Sequence, residues 1–259
     1  MRAGRGLAAV VAMVVAMVGL VGCTESKSTT SGDWDDPSVI AYIGDAVAIT
    51  EAEVDAVIED VRAEISEEIE QGLAAAEEKL TAEELAERRE QRYEQLEQQL
   101  AVNRSRTMEM RILTEAVRVW LAANELEEPE PALEYQAGEL GLEVDNEYVR
   151  VVAEFYAVMS VIQAIAEPVE PSEADQREVY DHLVAEGLTR SSFDDAKQVL
   201  TQEVMGHQVA IRDLIVEALA LAKVRVNPRF DFVYKVPVPV GSGQSWLEIP
   251  LRGPHGEQS

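Results

Sequence analysis

The chain sets 49 acidic against 22 basic side chains in 259 residues, a formal charge of −27, and holds one cysteine. A surface that acidic repels nucleic acid phosphates and anionic lipid headgroups, so neither is an expected electrostatic partner. A lone thiol excludes an internal disulfide, and sparse aromatics beside plentiful alanine and aliphatics favour helices over a β-sandwich.

The first 22 residues have the layout of a secretory signal: basic Arg2 and Arg5, an apolar stretch from Leu7 to Val21, and a small residue at the end. The stretch is short for a membrane span. Leu20-Val21-Gly22-Cys23 resembles the bacterial lipobox, which implies cleavage between Gly22 and Cys23. The thiol then becomes an S-diacylglycerol cysteine and its freed amine is open to a further acyl chain. The competing reading is an ordinary signal or N-terminal anchor with a chance cysteine. Because the acidic body repels headgroups, attachment to the outer face of the cell membrane has to be covalent, and two or three acyl chains suffice. Residues 23–38, rich in Ser, Thr, Gly and Asp, lack the apolar surface to offset ordering entropy and read as a flexible tether.

From Val39 the pattern changes. Val39–Ile43 and Ala46–Ile49 flank Gly44-Asp45 and read as a small β-hairpin. Thr50 with Glu53 makes a capping box, and Val54, Val57, Ile58, Val61 and Ile65 form a narrow helical stripe. Glu67 to Leu100 is far more polar and fits either a long exposed helix or a helical hairpin broken near Leu80-Thr81, with Thr81 and Glu84 as a second capping box. No heptad holds for three repeats, as a coiled coil would require.

Met108, Ile112, Ala116, Val119, Trp120 and Ala123 make the next stripe, interrupted at Pro129 and Pro131. A short helix closed by Gly141 follows, and Tyr148 to Ala166 is apolar enough to be the central buried helix. Pro168 and Pro171 end it. Ser172 with Asp175 opens a helix to about Glu186, and Ser192 with Asp195 opens a long one through about Lys223. Val224-Arg225-Val226 is strand-like. Residues 230–259, alternating Val and Pro with Gly241 and Gly243, read as an extended, poorly packed tail.

The run Val39 to Val54 looks like the opening of the SurA-type chaperone core, shared with PrsA-like foldases, and Ala222 to Phe230 is similar to the close of actinobacterial lipoproteins with that core. The resemblance covers residues 39–229. It implies a mainly α fold in which a small β-hairpin and a strand join the N- and C-terminal ends. It also implies an ATP-independent holdase or foldase helper for unfolded, newly exported polypeptides. Many relatives insert a Gly-rich parvulin domain with paired active-site histidines. Here residues 45–186 hold three glycines and His182 alone, so prolyl isomerase activity is not expected.

His182, His207 and His255 lie too far apart for metal-ligand spacing, and His207 on an apolar stripe reads as an interfacial histidine. No phosphate loop, nucleophile elbow or second cysteine is present. No enzyme activity, cofactor, metal or small-molecule substrate is therefore expected, and the sequence singles out no client-binding residue. Met108, Met110, Met159 and Met205 could be adaptable contacts, with core filling the simpler use. The rival functions are an envelope lipoprotein that binds one dedicated folded protein, and a solute-binding lipoprotein, which would need parallel-stranded lobes that the pattern lacks.

Overall fold

A computed structural model describes residues 36–77, 79–241 and 243–251. Cys23, the signal, most of the tether and His255 lie outside these residues. The described chain is mainly helical, with two small antiparallel sheets.

Strands β1 (Val39–Ile43) and β2 (Val47–Thr50) pair antiparallel around Gly44, whose φ of +59° is the left-handed conformation that glycine adopts without strain. The other edge of β1 takes β3 (Arg225–Val226), giving the order β2-β1-β3. Asn227 fastens this joint: its N–H donates to the Ile40 carbonyl at 2.8 Å and its amide to that of Val39 at 3.0 Å.

Thr50 and Glu53 form the reciprocal box that opens α1 (Glu51–Ala76). The helix runs past the apolar stripe into the polar region and stops at Ala76. A second box, Thr81 with Glu84, starts α2 (Ala82–Ala123). The two helices fold back on each other as an antiparallel hairpin, the second of the two forms allowed by residues 67–100. Ion pairs mark its register: Glu51 and Asp55 with Arg104, Arg62 with Glu97, and Glu70 with Arg89. At 1.5 Å per residue the 42 residues of α2 extend about 60 Å. Its first half therefore pairs with α1 while its second half enters the main core.

In that second half the buried apolar set is Met108, Ile112, Leu113, Ala116, Val117, Trp120 and Leu121. Val119 and Ala123, assigned to the stripe from their spacing, are exposed, Val119 to 40%. The buried face is centred one position to the side, on Leu113, Val117 and Trp120. The short helix α3 (Leu133–Leu140) ends at Gly141 with φ +69°, and leads into α4 (Glu147–Ile165). Ten residues of α4 are buried, among them Val151, Phe155, Val158 and Ile162, in packing against α2, α1 and α7. Its length and apolarity would let it cross a membrane; here it is the central core helix.

Helix α5 (Glu173–Ala185) carries the Ser172–Asp175 box. The long helix read from Ser192 to Lys223 is two: α6 (Phe193–Lys197) and α7 (Gln202–Leu221). The break turns Leu200 inward, fully buried, and its carbonyl accepts the Gln176 amide at 2.7 Å.

The described part of the tail corrects the expectation of poor packing. Strands β4 (Val233–Val240) and β5 (Gly243–Pro250) form a hairpin laid on α5 and α7, burying Val236, Val238, Leu247 and Ile249, with Phe232 and Leu251 at its base. The Val-Pro alternation has period two. It therefore turns the valines inward while Pro237 and Pro239 stay exposed. In a two-stranded sheet β4 is an edge, where a residue without an N–H costs no ladder bond.

Candidate functional site

Each residue singled out from the sequence has a definite place in the fold, except those outside the described residues. His182 is held by the tail hairpin: its Nδ1 lies 3.0 Å from the Trp246 carbonyl, its ring 5.4 Å from the indole, and its Nε2 3.7 Å from Glu248. His207 is half-buried on α7. The two are on different helices, and no cluster of three or more metal-ligating side chains occurs among the described residues. Met108, Met159 and Met205 are buried core residues, and Met110 packs against that core.

Two polar features of α2 border the core. One surrounds Glu109 on α2, half-buried, 3.5 Å from the Ser105 hydroxyl. Burial pushes its carboxyl up from 4.5 to about 7, against the opposing pull of Arg106, Ser105 and Lys235. Tyr234 of β4 adjoins it, pushed up to about 12 by burial and then by Tyr156 and Glu109. Phe155 bridges the rings of Tyr156 and Tyr234 with edge contacts at 5.5 and 6.1 Å. Beneath, the Tyr148 hydroxyl sits 3.5 Å from the Asn103 side-chain oxygen, both residues buried.

The other feature is a cleft of about 230 Å³ between α2 and α4. On α2, Arg111, Thr114, Glu115 and Arg118 follow one helical face; on α4, Glu147, Arg150, Val151 and Glu154 follow another. Most of the charges are matched. Arg118 reaches Glu115 at 2.7 Å, Glu128 at 2.8 Å and Glu154 at 3.0 Å. Hydrogen bonding to Glu128 foremost drives its pKa further up, so this guanidinium stays charged. Arg150 pairs with Glu147.

Two groups in the cleft are unmatched. The Arg111 guanidinium makes no ion pair or hydrogen bond with another described residue. The Thr114 hydroxyl is buried without a partner among the described residues, on a residue only 4% exposed. A buried hydroxyl left unmade costs about 1–3 kcal/mol. Neither residue stood out in the sequence. The signal was a polar stripe at i, i+3, i+4 and i+7 beside the apolar one, a pattern that solvated helix faces also show.

Apolar side chains also reach the surface. Tyr135 is 64% exposed on α3, and Leu140 and Val144 follow it before α4; Tyr156, Leu188 and Val199 are exposed elsewhere.

Neither a family model, nor a curated protein, nor a solved structure matches this chain.

Proposed function

We propose that this protein is a lipid-anchored, ATP-independent chaperone, a holdase or foldase helper for unfolded polypeptides at the outer face of the cell membrane. The observation that carries the reading is the β2-β1-β3 sheet, in which the strand after the last long helix returns to the first hairpin. The SurA-type resemblance of residues 39–229 implies a joint of this kind between the two ends, and the pairing supports the reading without depending on any family match. The lipobox Leu20–Cys23 supplies the address, with Cys23 as the lipidated residue. Exposed apolar side chains such as Tyr135, Leu140 and Val144 offer the non-directional contacts that unfolded chains accept. The charge of −27 disfavours self-association while those contacts are open.

The test is suppression of aggregation without ATP, using several unrelated denatured proteins and near-equimolar amounts of the protein. Protection of more than one client is the expected result. Protection of none, together with stoichiometric binding of one folded envelope protein, would replace the chaperone with an adaptor.

A further inference from the structure

We infer that the α2–α4 cleft is a binding site for a single carboxylate group, held by the Arg111 guanidinium and the Thr114 hydroxyl. The inference rests on the cleft alone and stands or falls separately from the chaperone reading. Thr114 is 4% exposed, lines the cleft, and has a hydroxyl with no partner among the described residues. Arg111, one helical turn before it, is the cleft's unpaired cation among the described residues. A guanidinium donates only, and a hydroxyl can donate as well, so the group that complements both is a hydrogen-bond acceptor with negative charge.

The surroundings narrow its chemistry. Glu115, Glu147 and Glu154 line the same cleft. Arg118 and Arg150 are already paired to them, and Arg118 holds Glu128 as well, so the three arginines and three glutamates of the lining balance and Arg111 is unpaired without being in surplus. A dianion such as phosphate would bring two negative charges to one unpaired cation in a cleft whose charges otherwise balance, and like charges at this range are costly. A carboxylate brings one charge, and its two oxygens match the planar fork of a guanidinium. Buried Val151 supplies an apolar wall for the carbon that bears it. The cleft, at about 230 Å³, is smaller than the roughly 300–1,000 Å³ of drug-sized pockets. It suits a small carboxylic acid or one acidic side chain of a polypeptide.

The experiment is calorimetric titration of the full-length protein in detergent with four probes. These are sodium acetate, inorganic phosphate, a capped peptide carrying one glutamate, and the same peptide with glutamine in its place. Saturable binding of acetate or of the glutamate peptide is expected, weakened at least about tenfold, or 1.4 kcal/mol, by Arg111→Gln and to a lesser degree by Thr114→Val and Arg111→Lys. Acetate binding alone identifies a free small acid as the source. Binding of the glutamate peptide and not its glutamine twin identifies a polypeptide side chain. No carboxylate binding through the millimolar range, binding indifferent to Arg111→Gln in a variant with unchanged circular dichroism, or tighter binding of phosphate would each overturn the assignment.

Discussion

The Asp60 carboxylate of α1 accepts the backbone N–H of Glu147, the first residue of α4, at 2.7 Å. Four residues on, Glu64 accepts the N–H of Glu143 at 2.6 Å and the Asn146 side-chain amide at 2.8 Å. One helix thus supplies the anionic cap of another. The first N–H groups of a helix have no partner within it, and negative charge there is favourable.

Asp60→Ala should therefore lower stability by about 1 kcal/mol, in the range of a lost cap. The readout is the urea midpoint at an unchanged slope. Because α4 is the core helix, hydrogen exchange at its first turn should rise first; exchange unchanged there would remove Asp60 as a cap.

Gly206 makes a different kind of demand. A Cβ on it would lie 2.5 Å from the Val169 carbonyl oxygen, and the Val169 N–H donates to the Gly206 carbonyl at 3.2 Å. Backbone against backbone has no rotamer to yield. Gly206→Ala should cost about 1–3 kcal/mol, although alanine is the better helix former. Gly72, with open space around its missing Cβ in α1, is the control: its replacement by alanine should stabilise by about 1 kcal/mol. Equal urea midpoints for the two variants would refute the packing argument.

Glu109 should give the fold a specific pH dependence. Its carboxyl holds a proton more tightly in the folded chain, at about 7, than the ordinary 4.5. The folded state therefore binds more protons across that window, and this group's contribution to stability falls as pH rises from about 4.5 to 7. Glu109→Gln, which mimics the protonated form, should gain on the natural protein over that window, by at most about 3 kcal/mol above pH 7. Parallel pH profiles of the two proteins would show that the carboxyl is solvated.

Thr114→Val separates stability from binding. Valine keeps the shape and removes the unpartnered hydroxyl, so thermal stability without added carboxylate should hold or rise by about 1 kcal/mol. A loss of that size would mean that the hydroxyl has a partner, bridging water included.

Cys23→Ser tests the anchor. Without the thiol there is no acylation, and the protein should leave the membrane fraction. Unchanged incorporation of labelled fatty acid would rule out lipidation at Cys23.

Much of the helical order could be read from local chemistry. Thr50, Thr81, Ser172 and Ser192 each stand three residues before an acid, and each accepts the expected N–H. Those signals are short-range, so one sequence displays them. What escaped was set by partners distant in the chain. Val-Pro alternation marks a strand only if the valines find an apolar surface, which α5 and α7 provide. Leu200 stands at the break before α7, where Gln176, on another helix, takes its carbonyl. The cleft needs two stripes, Arg111–Arg118 and Glu147–Glu154, brought face to face across α2 and α4. Each alone is an unremarkable charged helix surface.

The pairing of β1 with β3 sets a clock for the molecule. Asn227 and Val39 are 188 positions apart, yet they share a hydrogen bond. A chain that emerges N-terminus first must carry an open edge on β1 through almost the whole of its synthesis. Only when Arg225 to Asn227 arrive can that edge be filled, so sheet closure is a late and entropically expensive event. Any chain cut short of Arg225 would keep a sticky strand and present to its neighbours an invitation to add one of their own.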